Sequence, residues 1–108
     1  MTDDDAAARF TRLDSLASVD AAELPRLYAY PRDLTRCWVR ANMIASVDGG
    51  ATVDGRAGGL AGPGDRVLFK VMREIADVVL VGAGTVRAEN YSGAQLSAAS
   101  RQAPAARA

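Results

Sequence analysis

Apolar positions along the chain change period twice. Between residues 37 and 47 they alternate, with Val39, Ala41, Met43, Ala45 and Val47 on one side and Trp38, Arg40, Asn42, Ile44 and Ser46 on the other. A period of two predicts a strand. From Val67 the spacing becomes helical: Val67, Leu68, Val71, Met72 and Ile75 share a stripe, and Arg66, Lys70, Arg73 and Glu74 take the opposite face. Pro63 suits the first position of this helix, because its missing N–H would have no intrahelical partner there. Residues 78–81, Val-Val-Leu-Val, form the continuous apolar run expected of a strand buried on both faces of a parallel sheet. Gly82-Ala83-Gly84-Thr85 ends that run, and residues 86–89 read as a helical turn.

The order strand, loop, helix, strand, turn, helix predicts a right-handed βαβ unit with a parallel sheet. The intervening loop is rich in turn chemistry. Asp48-Gly49-Gly50 and Asp54-Gly55 are followed by Gly58, Gly59, Gly62 and Gly64, which predicts a mobile segment. Upstream, residues 1–36 read as an extension with one short helix. Asp20 and Glu23 have capping-box spacing, Leu24, Leu27 and Tyr28 share a face, Pro25 fits only a first turn, and Pro31 ends the element. Residues 93–108 form an Ala-rich tail without an apolar stripe, expected to be disordered or weakly helical. Residues 37–92 thus hold the first βαβ part of an α/β domain. Two parallel strands with one crossover do not stand alone, so the chain reads as an incomplete N-terminal portion.

Composition narrows the chemistry. A chain of 108 residues has room for one small domain, and 49% apolar content fits neither a disordered chain nor a fibre. Thirteen basic residues balance thirteen acidic ones, which argues against a broad nucleic-acid or anionic-membrane footprint. No histidine is present, so histidine triads, imidazole proton shuttles and His-ligated metal sites are excluded, and no metal is expected. The single cysteine, Cys37, reads as a small core residue and cannot form an internal disulfide. The acidic start and the absence of a membrane-length apolar run point to a cytoplasmic location.

Three groups of residues could carry chemistry. Gly82, Ala83, Gly84 and Thr85 lie just beyond the carboxyl end of the second expected strand, where open α/β sheets bind ligands. A tight turn without a ligand explains that pattern equally well. Asp65 lies in the first turn of the main helix, where the helix dipole alone favours a carboxylate by about 0.3–1 kcal/mol. Its functional alternative is a proton donor facing the glycine-rich loop. Asn42, Ser46 and Asp48 form a polar row on one strand face, either solvated or aimed at a site.

Taken together, Trp38-Val39-Arg40-Ala41-Asn42-Met43-Ile44-Ala45-Ser46-Val47-Asp48-Gly49, Gly62-Pro63-Gly64-Asp65-Arg66, and residues 76–91 resemble the pyrimidine reductases of riboflavin biosynthesis. These form the RibD C-terminal family, with a dihydrofolate-reductase-like fold. The combination of an S-x-D-G turn with V-G-x-G-T-V-x-x-acid-N at this separation is more specific than either motif alone. The resemblance covers residues 36–92 and implies a mainly parallel sheet with flanking helices. It implies hydride transfer from NADPH to a C=N carbon of a ribosylamino-pyrimidine phosphate. It also implies that Asp65 is catalytic, that Asn42, Ser46 and Asp48 lie along the substrate side, and that Gly49 and Gly50 belong to a closing loop. Gly82, Ala83, Gly84, Thr85 and Glu89 would contact the NADPH cofactor. A dihydrofolate- or pterin-type reductase and a non-catalytic nucleotide-binding fragment stay open as alternatives, and so does a homodimer.

The sequence departs from the family in several places. No second Gly-Gly loop follows Tyr91, and the zinc-deaminase motifs His-x-Glu and Pro-Cys-x-x-Cys are missing. Arg87 and Tyr91 stand where commoner members often carry other residues, which leaves the substrate between a pyrimidine and a pterin-like compound. By itself, the chain is expected to turn over slowly or not at all.

Overall fold

A computed structural model describes residues 8–91. Its packed corner is built largely from local signals. Strands β1 (Phe10–Thr11) and β2 (Ser18–Val19) pair antiparallel, with Phe10 opposite Val19 and Thr11 opposite Ser18. The connecting turn closes through an Arg12 N–H to Ala17 carbonyl bond of 2.9 Å and contains Leu16 at φ 54°. Arg12 and Asp14 form an exposed ion pair on it.

Asp20 then starts a 3-10 turn (Ala21–Glu23) that runs into helix α1 (Leu24–Leu27). Its carboxylate accepts from the Ala22 N–H at 2.8 Å, while the Glu23 carboxylate accepts from the Asp20 N–H at 3.2 Å. Such reciprocal capping satisfies donors that the first turn leaves without partners. Pro25 sits in the first turn of α1, where its ring fixes a helical φ and sacrifices no bond.

Helix α2 (Pro63–Ile75) opens at Pro63 and places its apolar stripe against this corner. Val19, Leu24 and Val71 are the buried hydrophobic residues among those described, flanked by Phe10, Ala21, Tyr28 and Val67. The Phe10 ring lies over Gly64, 3.7 Å from where a Cβ would stand, so the strand side chain seats on the first turn of α2. Helix α3 (Ala83–Glu89) follows and ends at Asn90, whose left-handed backbone (φ 53°, ψ 46°) closes it through an N–H to Val86 carbonyl bond.

The two expected strands behave differently. Residues 37–46 and 78–82 carry no regular secondary structure and join no ladder, so the expected parallel sheet does not form among the described residues. The β1–β2 pair is the one sheet there, and it lies in the stretch expected to be an extension. A strand has no internal backbone hydrogen bonds and needs a neighbour, whereas capped helices form from contacts close in sequence. The apolar side chains follow their backbone: Val39, Met43, Val78 and Leu80 are each at least 80% exposed. Cys37, expected in the core, is exposed as well. The radius of gyration, 15.2 Å, exceeds the roughly 13 Å of a compact domain of this length.

Among the described residues, Arg40 ties residues 37–47 to the corner. The Arg40 guanidinium donates from Nη1 to the Tyr28 carbonyl at 2.6 Å. It stands 4.6 Å from the Tyr30 ring centroid and 5.6 Å from that of Tyr28. No helix of the described residues is long and apolar enough to cross a membrane.

Candidate functional site

The candidate residues fall into four neighbourhoods. In the first, residues 46–50 form a turn knitted by its own polar groups. The Ser46 N–H donates to the Gly50 carbonyl at 2.8 Å, and the Gly49 N–H donates to the Ser46 carbonyl at 2.9 Å. Gly49 sits at φ 89°, which L side chains rarely adopt. The Ser46 hydroxyl donates to Asp48 Oδ1 and lies 3.2 Å from the Gly50 carbonyl, while the Gly50 N–H reaches Asp48 Oδ1 at 3.4 Å.

A serine hydroxyl has one proton, and the contact to Asp48 is the shorter of its two. That bond, helped by the Gly50 N–H, holds the Asp48 carboxyl below its ordinary pKa. Ser46 and Asp48 therefore face each other instead of standing in a row with Asn42, which is exposed further up the segment. A Cβ on Gly50 would meet Ser46 Oγ at 2.7 Å. Glycine is required there for the hydroxyl to close over the turn.

Asp65 occupies the first turn of α2 and is half-buried. Pro63 and Gly62 precede it without a side-chain cap, so its carboxylate is the negative group that meets the positive end of the helix dipole. Gly82, Ala83, Gly84 and Thr85 lead into and begin α3 and are exposed. A Cβ on Gly82 or Gly84 would have nothing within 4 Å. The backbone there is open, and the first-turn N–H groups of α3 have no intrahelical acceptor. That combination fits the close approach of an anionic or amide-bearing group such as part of a dinucleotide.

Glu89 is engaged elsewhere. Its Oε1 accepts from the Ala57 N–H at 2.7 Å, across 32 positions of sequence. Ala57 begins a 3-10 turn (Ala57–Leu60) whose preceding residue, Arg56, supplies no side-chain cap. Glu89 thus caps a turn on a distant loop, a role that sequence spacing does not reveal. A signal for it does exist: a carboxylate at the carboxyl end of a helix opposes the dipole and needs a donor outside the helix.

Among the described residues, no hydrogen bond or ion pair joins the turn at 46–50, Asp65 and residues 82–85 to one another. The structure brings together Ser46 with Asp48, and Glu89 with the glycine-rich loop. The family model of the RibD C-terminal domain matches residues 37–107, a span that includes all of these groups. No curated protein and no solved structure matches the chain.

Proposed function

The chain belongs to the RibD C-terminal domain family, and from that footing we propose that it is part of an NADPH-dependent reductase acting on a ribosylamino-pyrimidine phosphate. The observation that carries this reading is the family match, which extends over both the S-x-D-G turn and the V-G-x-G-T run. NADPH, when bound, supplies the hydride. The open backbone at Gly82, Ala83, Gly84 and Thr85 holds the cofactor through its free N–H groups.

Asp65 acts on the substrate nitrogen. A C=N carbon accepts hydride more readily when its nitrogen is protonated or hydrogen-bonded, and a half-buried carboxyl can hold a proton on that nitrogen by hydrogen bonding. Asn42 hydrogen-bonds the substrate ring. Asp48 has Oδ1 engaged by Ser46 and Gly50, and its remaining oxygen accepts from a sugar hydroxyl. The turn is assembled before substrate arrives, which reduces the ordering cost of binding.

The test follows NADPH titration by nicotinamide fluorescence and then substrate-dependent loss of NADPH absorbance. The ribosylamino-pyrimidine phosphate and dihydrofolate are compared side by side. Saturable NADPH binding, with any turnover confined to the pyrimidine, supports the reading. Absence of saturable binding, or turnover of dihydrofolate alone, overturns it. Binding without turnover on either substrate supports a second reading, a cofactor-binding module. That reading is favoured by the lack, among the described residues, of any hydrogen bond or ion pair between Asp65 and the turn at 46–50.

A further inference from the structure

We propose that Glu89 is a positioning residue whose carboxylate latches the glycine-rich segment 53–60 to the end of helix α3. The latched segment is itself a built unit. Val53 and Arg56 exchange two backbone hydrogen bonds, of 2.9 and 3.0 Å, around a turn with Asp54 at φ 51° and Gly55 at φ 77°. The following 3-10 turn folds back on this hairpin so closely that a Cβ on Gly59 would stand 2.9 Å from the Val53 Cβ. Neither atom could yield without moving backbone. Residues 53–60 therefore move as one piece, and a single tether to that piece fixes all of it.

Glu89 supplies the tether through one oxygen and packs the other against the segment. Oε1 takes the Ala57 N–H at 2.7 Å, a charge-assisted bond to a donor that the turn leaves without an internal partner. Oε2 lies over Gly58, 3.2 Å from where a Cβ would stand, so a side chain there would make the carboxylate give by a few tenths of an ångström. The anchor end is held too. Asn90 ends α3 in the left-handed conformation, and Tyr91 then reaches the Phe69 ring of α2 at a centroid distance of 6.4 Å. The Arg73 guanidinium covers the same Phe69 ring at 5.1 Å. Glu89 thus stands on a helix end pinned to α2 and holds the segment that runs into α2 through Gly62 and Pro63.

The latch consists of these contacts alone. What it serves rests on the reductase reading: the segment precedes the Asp65-bearing turn, so its position sets that of the acid.

Amide hydrogen exchange on the full chain tests the latch residue by residue. In Glu89→Ala, exchange at Ala57 rises by about tenfold or more, the loss expected for a hydrogen bond to a charged acceptor, while the α2 amides keep their protection. Glu89→Gln keeps an acceptor oxygen at the same reach and restores most of the Ala57 protection. Glu89→Asp, one methylene shorter, does not. Gly58→Ala makes the carboxylate give by a few tenths of an ångström and raises Ala57 exchange less than Glu89→Ala does, while Glu89→Asp keeps the test decisive if Glu89→Ala fails to fold. Unchanged Ala57 exchange in Glu89→Ala, or in Glu89→Asp where Glu89→Ala does not fold, overturns the proposal, as does Glu89→Gln behaving like Glu89→Ala. Failure of NADPH to bind would remove the reductase reading and leave the exchange pattern, and hence the latch, standing.

Discussion

The packed corner and the two apolar stretches at 37–47 and 78–81 have similar side-chain chemistry and opposite fates. Leu24, in the corner, is 3% exposed, whereas Leu80 is 94% exposed. Both are leucines. They differ in what their backbones need. Around Leu24, a capping pair and a proline in the first turn satisfy the helix from within, and Val71 of α2 arrives on a stripe already formed. Around Leu80, every backbone N–H and C=O requires a neighbouring strand, and none lies beside it among the described residues. Burial follows hydrogen bonding here, because an apolar side chain cannot leave water while its own peptide groups lack partners.

The most direct way to break this comparison is to truncate one leucine in each region. Leu24→Ala should cost about 2–5 kcal/mol, the range for removing a buried leucine from a packed site. Leu80→Ala should stay within about 0.5 kcal/mol, as exposed substitutions do. Urea unfolding followed by far-UV circular dichroism compares the two. Equal losses would mean that residues 78–81 are packed in solution, and the contrast would collapse.

A smaller effect is expected where the regions meet. Arg40 holds residues 37–47 to the corner through the Tyr28 carbonyl and the faces of Tyr28 and Tyr30. Arg40→Ala removes one charge-assisted hydrogen bond and the ring contacts, together on the order of 1–3 kcal/mol of local holding. The segment should then open more often, and chymotrypsin cleavage at Trp38 should speed up about tenfold. Arg40→Lys should fall between, since an ammonium keeps the charge but loses the planar stack. The urea midpoint should move less than in Leu24→Ala. Cleavage at the wild-type rate in Arg40→Ala would show that the segment is held by something else.

The same contrast explains what could be read from sequence. Helix α2 was legible from Pro63 to Ile75 because proline at the first position and a 3.6-residue stripe are local codes. The Asp20–Glu23 cap and the positive-φ turn at Asp54 and Gly55 were legible for the same reason. The alternation at 39–47 and the run at 78–81 do record a wish to be strands, but a strand is a relation between segments, and periodicity names only one member. Two-residue strands such as β1 and β2 leave too short a pattern to detect.

In the candidate site, residue types and neighbourhoods were visible, while pairings were not. Ser46 and Asp48 look like members of a strand face until the Gly49 backbone bends the chain and turns them toward each other. Glu89 looks like part of a run following Gly82 until the fold brings Ala57 to it from 32 positions away. A partner that distant is what spacing could not supply.

The turn at 46–50 also gives the smallest effect, because it belongs to the extended region and to no packed core. The Asp48 carboxyl titrates below its ordinary value when the turn is formed, chiefly through the Ser46 hydroxyl and then the Gly50 N–H. In an unfolded chain it would titrate near the ordinary aspartate value of about 3.9. Between those two values the unfolded form binds more protons, so the turn loses stability as pH falls through that window. Above it, the contribution is complete and independent of pH. The Gly50 amide signal in NMR should therefore hold steady from about pH 8 to about pH 5 and move only below about pH 4. In Asp48→Ala that acid movement should vanish, while the helix α2 signals are the same in both proteins. A Gly50 signal that moves equally in wild type and variant would assign the change to the fold as a whole, and the turn would lose its standing as an independent element.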